Sequence, residues 1–323
     1  MSKVGLIMRK KMIGRSSIEG LFQIFEKVDG IRKIELPYEL NSLKNAFKLA
    51  LFSLKIREKK IHITGDVHYM AMLLFWKKII ITIHDCNHYE SLTGLRKFMV
   101  GILWFKLPIL ISRRIVVISP FVKDQVQRNF KINSDKIEII PNGFNPIKSI
   151  RKEKLNNNFN ILIIGTKLNK NLCRLFEAVK FNNNIQLIIV GNLTSKQNKM
   201  LDEYKISYLN DFNISQAQLE NYYNSAEMLY FASTKEGFGL PILEAQSCGL
   251  PVLTSNTTSM PYVAGAGALI INPYDVEEIR IAIQDLFKNP LLREELIAKG
   301  LENIKRFTNE KFVLSYQKLY ENL

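Results

Sequence analysis

The 323 residues are 47% hydrophobic and 23% charged, enough apolar content to build a sizeable core and too much for a disordered chain. Length alone points to two domains. Basic residues outnumber acidic ones by 15, which favours an anionic partner, and the surplus is uneven: residues 1–150 hold 26 basic against 12 acidic side chains, whereas 151–323 hold 19 against 18.

The chain opens on a short apolar run, Val4–Met8, followed by Arg9-Lys10-Lys11. It is too short for the core of an export signal, and the charge lies on the wrong side. Short β-branched runs then alternate with segments of helical spacing, the pattern of parallel sheets with crossover helices. The strands predicted in the first half are Val4–Met8, Ile31–Glu35, Lys60–Thr64, Ile79–Ile83, Ile115–Ile118 and Lys136–Ile140. The first, fourth and fifth are almost unbroken by polar residues and read as central strands buried on both faces; the other three carry charge and are expected nearer an edge. The longest membrane candidate, Phe98–Ser112, is interrupted by Lys106 and Pro108 and falls short of the roughly 18 apolar residues that a spanning helix needs.

A polar stretch from Lys148 to Asn158 reads as a linker. The second series of strands follows: Ile161–Ile164, Gln186–Val190, Ile206–Leu209, Met228–Phe231, Val252–Thr254 and Ala268–Ile271. Phe312, Tyr316, Leu319, Tyr320 and Leu323 recur at helical intervals and predict a closing amphipathic helix with a face to bury. Cys86, Cys173 and Cys248 show no paired spacing, which argues against a disulfide framework or a zinc site and fits a reducing cytoplasm. The expected class is α/β, with two doubly wound domains whose ligands sit beyond the carboxyl ends of the strands.

The most informative stretch runs from Ala226 to Val252, AEMLYFASTKEGFGLPILEAQSCGLPV. A strand leads through Glu236-Gly237-Phe238-Gly239 into a helix starting near Leu240-Pro241, where proline suits the first turn. Glycines that bare backbone amides, beside the positive end of a helix, suit an anion such as phosphate. Glu236 and Glu244 lie eight positions apart and can reach different parts of one extended ligand. A carboxylate such as Glu244 can accept hydrogen bonds from a ribose diol.

Together Glu236, Gly237, Phe238, Gly239, Leu240, Pro241, Leu243, Glu244, Ala245, Gly249, Pro251 and Val252 resemble the donor-site signature of retaining glycosyltransferases of family four. The resemblance implies the GT-B fold, two Rossmann-like domains facing across a cleft. The first, residues 1–150, would bind the acceptor, with a helix near 308–323 packing back on it; the second, 151–307, would bind a nucleotide sugar. It assigns Gly165, Thr166, Lys170, Phe238, Gly239, Leu240 and Glu244 to the donor, with Lys170 on the diphosphate. Glu236 would bind sugar hydroxyls. Thr82-Ile83-His84-Asp85 resembles the family turn whose histidine lies close to the transferred sugar. Many relatives carry arginine after the glycine where this chain has Thr166, and glutamate near Pro261 where it has Tyr262. His62, His68 and His88 have no such support.

The implied reaction moves a hexose-type sugar from a nucleotide diphosphate with retention to a glycan or lipid-linked glycan, as in cell-surface polysaccharide synthesis. No D-x-D pair occurs, so no metal is expected, and the nucleotide sugar is a co-substrate rather than a cofactor. Arg9, Lys10, Lys11 and Arg15 are candidates for the acceptor side. The bulky apolar stretch Leu95–Arg114, framed by Arg96-Lys97 and Arg113-Arg114, suggests contact with an anionic membrane at the inner face of the cell membrane, equally well an ordinary crossover helix. Rival readings are another GT-B enzyme, an epimerase or hydrolase, and a basic nucleic-acid-binding protein. The last lacks a recognition motif, so no nucleic-acid partner is expected.

Overall fold

The computed structural model describes residues 3–9, 17–148 and 158–323. Its chain divides into two units: the residues up to Gly143 together with Asn309–Leu323, and Phe144–Thr308. Part of the expected linker, residues 149–157, lies outside the described residues, as do Lys10, Lys11 and Arg15.

Each unit is built on a six-stranded parallel sheet. In the first, β1 (Val4–Met8), β2 (Ile31–Glu35), β3 (Lys60–Ile63), β4 (Lys78–Ile83), β5 (Arg114–Val117) and β6 (Ile137–Ile139) are ordered β2-β1-β3-β4-β5-β6. In the second, β7 (Phe159–Ile164), β8 (Ile185–Val190), β9 (Ser207–Asp211), β10 (Met228–Phe231), β11 (Val252–Ser255) and β12 (Leu269–Ile271) are ordered β12-β11-β10-β7-β8-β9. Strand order reverses between β1 and β3 in one sheet and between β7 and β10 in the other, which is where doubly wound sheets leave a crevice for ligands.

The charged strands β2 and β6 do lie at edges, but β3 does not: it is hydrogen-bonded between β1 and β4. Its polar residues are satisfied from the closing helix, Asn309–Glu321. The Lys60 ammonium donates to the Tyr320 carbonyl at 2.6 Å. The buried His62 ring bonds Tyr320 Oη through Nδ1 at 2.6 Å and Thr82 Oγ1 through Nε2 at 2.7 Å. A polar residue with a built partner costs little inside a sheet, and that partner comes from about 260 residues further on, far beyond the window of roughly 11–18 residues over which pattern reading works.

The closing helix puts Phe312, Tyr316, Leu319 and Tyr320 against Phe22, Phe25, Leu6, Ile80 and Val116, the core on one face of the first sheet. The other face carries the short helix His68–Leu74, with helices Leu43–Leu54 and Leu107–Ile111 packed against it. In the second unit Ile161, Ile163, Leu187 and Ile189 point the same way, as alternation requires, onto Leu175, Phe176 and Ile283.

Candidate functional site

The loops that follow β7 and β10, which carry most of the candidate donor residues, meet at the β7/β10 reversal. After β7 the chain turns at Gly165 and makes one 3-10 turn, Leu168–Lys170, before helix Leu172–Val179. After β10 it runs from Ala232 to Gly239 and enters helix Leu240–Ser247 with Pro241 in the first turn. One backbone and one side-chain hydrogen bond knit the two loops: Thr234 N–H donates to Asn169 O at 2.8 Å, and the Asn169 side-chain Nδ2 donates to Lys235 O at 2.9 Å. Across this junction Lys170 Nζ donates to Glu236 Oε1 at 2.6 Å, and Asn169 Nδ2 to the same oxygen at 3.0 Å. Lys170 also stands over the Phe231 ring, 4.2 Å from its centroid.

Two glycines are fixed by this geometry. Gly165 has φ +88°, and a Cβ there would meet Lys170 Cε at 3.0 Å, so the lysine stem lies across the bare backbone. Gly239, with φ +113°, is the residue preceding the helix, and a Cβ there would meet Met260 Cε at 2.8 Å. Among the described residues no side chain caps this helix. Its start therefore offers positive potential beside Lys170's loop, the setting in which phosphate oxygens are held.

Glu244 sits one turn into the helix, where Tyr223 Oη donates to its Oε2 at 2.6 Å; burial pushes the carboxyl above the usual carboxylate range. Thr166 engages a neighbouring loop instead, its hydroxyl donating to Asn192 O at 2.5 Å. The Phe238 ring is buried against Phe307, centroids 5.7 Å apart, and serves packing. Three residues that sequence reading missed hold the site together: Asn169, Tyr223 and Ser259, whose hydroxyl bonds Phe238 O at 2.8 Å and Glu236 O at 3.1 Å. Asn169 adjoins Lys170 and could have been inferred from it; Tyr223 and Ser259 carry no local signal. Nearby, the buried Ser233 Oγ and Thr258 Oγ1 have no hydrogen-bond partner among the described residues, and Thr258 holds φ +56°, strained for a β-branched residue.

In the first unit, the carboxyl ends of β1, β3 and β4 gather Arg9, Asp66 and His84. Arg9 Nη1 lies 3.8 Å from Asp66 Oδ2. His84 Nε2 lies 2.7 Å from Thr64 O, so that nitrogen carries a proton and donates. Burial pushes the ring's pKa below its ordinary value, against the Thr64 carbonyl and the Asp66 charge. A neutral ring so oriented leaves Nδ1 as a lone-pair acceptor. His62 and His68 are buried structural groups: His62 is pulled down to about 3 by burial, and His68 Nε2 lies 3.0 Å from Thr82 O.

Two parallel α/β sheets, each with chemistry at a strand-order reversal, define a doubly wound two-domain protein of the GT-B kind. Residues 146–303 match the family model for glycosyl transferases group 1, and residues 18–148 match that for glycosyltransferase family 4. The chain belongs to this family of glycosyltransferases. It is 44% identical over 88 residues to O-antigen chain mannosyltransferase B of Escherichia coli, a match covering 27% of this chain and 23% of that protein. It is 28% identical over 247 residues to O-antigen chain mannosyltransferase RfbU of Salmonella typhimurium, covering 73% and 67%. The chain thus spans under a quarter of the first relative's length and about two thirds of the second's. In fold it resembles a glycosyltransferase from Rickettsia africae, with TM-score 0.76, 15% identity and coverage of 99% and 98%. It also resembles Anabaena HepE solved with UDP, with TM-score 0.78, 13% identity and coverage of 99% and 100%.

Proposed function

We propose that the chain transfers a hexose from a nucleotide-diphosphate sugar, with retention, to a glycan or lipid-linked glycan in cell-surface polysaccharide synthesis. The observation that carries this reading is the Lys170–Glu236 pair at 2.6 Å, on the two loops that flank the β7/β10 crevice beside an uncapped helix start. Loss of a diphosphate leaving group needs positive charge already in place when the bond breaks. Lys170 and the Gly239–Leu240 helix start supply it, and Glu236 takes sugar hydroxyls while countering positive charge at the ring. Glu244 receives the ribose, and Nδ1 of His84 accepts a hydroxyl of the transferred sugar. The departing phosphate takes the acceptor proton, so attack and departure share one face of the sugar. With the leaving group met by protein cations, transfer should persist in EDTA.

The names of the two O-antigen relatives make mannose the first sugar to test. Thermal stabilisation by a panel of uridine and guanosine diphosphates and their sugars reads the donor, since a ligand of the folded state raises the melting point. One nucleotide series should stabilise, and NMR of the product should show the donor's anomeric configuration. Absence of stabilisation by every nucleotide, or stabilisation that survives both Lys170→Ala and Glu244→Ala unchanged, would overturn the assignment. Free sugar or an epimer as the only product, with acceptor present, would favour a hydrolase or epimerase.

A further inference from the structure

The second unit holds a cavity of about 550 Å³ that none of the candidate donor residues lines. It lies where helix Leu172–Val179 ends and the chain turns through Lys180–Asn184 into β8, at the amino end of that strand. The donor crevice lies beyond the carboxyl ends of the same sheet, and the six residues of β8 put about 20 Å between the two. The transfer reading assigns nothing to this end of the fold.

Phe181, Asn182, Asn183, Asn184, Arg280 and Gln284 line the cavity. Phe181 is 61% exposed and holds φ +58°, the left-handed region that a bulky side chain adopts only under constraint. Its N–H donates to Tyr204 O at 3.0 Å, and its ring meets the Tyr204 ring edge-on, centroids 6.4 Å apart. The turn therefore holds an apolar ring open beside three successive asparagines, at a cost in backbone strain. Asn182 Oδ1 accepts from Asn184 N–H at 3.0 Å, but the side-chain amides of Asn183, Asn184 and Gln284 have no protein partner among the described residues. Arg280 turns Nε to Ala178 O at 3.2 Å and Nη1 to Glu277, while its Nη2 has no protein partner among the described residues.

That chemistry selects the ligand. Amides and a guanidinium present planar donors that suit clustered hydroxyls, and an exposed ring suits the C–H face of a pyranose. A nucleic acid would also stack on the ring, but its phosphates need cations. Here Glu277 offsets Arg280, and Lys180 stands 5.7 Å over the Tyr204 ring. An apolar peptide would leave the amides buried without partners. The volume falls within the roughly 300–1,000 Å³ of small-molecule sites. We propose that this cavity is an accessory glycan-binding site that takes a neutral pyranose segment of an oligosaccharide, stacked on Phe181 and hydrogen-bonded by Asn183, Asn184, Arg280 and Gln284. The inference goes beyond the transfer reading and does not depend on it, since the binding needs no nucleotide.

The test is isothermal titration of the full chain, without nucleotide, with mannotetraose, maltotetraose and N-acetylchitotetraose, and with oligothymidylate as the competing class. At least one of the sugars should bind with Kd of about 1 mM or tighter, with little change as salt rises, as for a neutral ligand. Phe181→Gly should lose at least about tenfold in that affinity. Its melting midpoint should hold or rise, because glycine adopts φ +58° without strain. The double variant Asn183→Ala, Gln284→Ala, at two exposed positions, should lose a similar factor. Phe75→Ala, an exposed ring of the first unit, should bind like the parent. Thermal stabilisation by nucleoside diphosphates should be the same in every variant, which keeps the donor site and this cavity separately measurable. The proposal is overturned if none of the sugars binds, or if either Phe181→Gly or the amide double variant binds them as the parent does. It is equally overturned if oligothymidylate binds and the sugars do not.

Discussion

Lys170 is the residue on which the site turns, because it bridges two loops. Its ammonium is held by Glu236 and by the face of Phe231, and its stem crosses Gly165. Lys170→Ala should lower kcat about a hundredfold, the order seen when a preorganised charge-stabilising donor is removed. Glu244→Ala should instead weaken nucleoside diphosphate affinity about tenfold or more, the cost of losing hydrogen bonds to a charged acceptor. Steady-state kinetics and calorimetric titration separate the two effects; a shared loss of affinity with unchanged kcat would contradict the division of roles. Of the donor residues, the string from Glu236 to Val252 was legible because its loop and helix are contiguous in the chain. The contact between Lys170 and Glu236 was not, since 66 residues separate them and only the adjacency of β7 and β10 brings them together.

At the scale of elements, the closing helix matters most to the first unit. Tyr316 and Tyr320 bring hydroxyls into a network with Thr82 and His62, and the rings of Phe312 and Tyr316 pack on Phe22 and Phe25. Tyr320→Phe removes a partner from buried His62 and should cost about 1–3 kcal/mol, whereas Leu314→Ala, half-exposed on the same helix, should stay within about 0.5 kcal/mol. Urea unfolding read by intrinsic fluorescence distinguishes them; equal midpoints would mean that the network contributes nothing. The twelve strands were legible from short β-branched runs, with bounds shifted by a residue or two. The central place of β3 was not, because charge at Lys60 mimics an edge strand unless the helix that satisfies it is known.

For the molecule as a whole, the buried imidazoles set how stability follows pH. His62, His68 and His84 all have folded-state pKa values below the ordinary histidine value, His62 at about 3, chiefly through burial. The unfolded chain then binds protons that the folded chain refuses. Stability should be complete above about pH 6.5 and fall as pH drops toward 3, each histidine adding at most about 1.4 kcal/mol per pH unit. Glu244, whose carboxyl is raised, acts in the opposite sense and in the other unit. Melting midpoints measured from pH 7.5 to 4 should decline, and His62→Gln should flatten the decline; a parallel slope in the variant would remove His62 from this role.

By itself the sequence determined what is local and periodic: two alternating α/β series, the loop-to-helix signature that carries the family resemblance, and the concentration of positive charge in the first half. These are read from neighbours along the chain, where spacing and residue type act directly. Tertiary structure alone decided strand order, the pairing of Lys170 with Glu236, the burial of His62 under two tyrosines, and which apolar side chains, Phe181 among them, remain open. Each of those depends on what lies across a sheet or beside a helix, and an amphipathic pattern records only that a face prefers apolar surroundings, never whether the fold provides them.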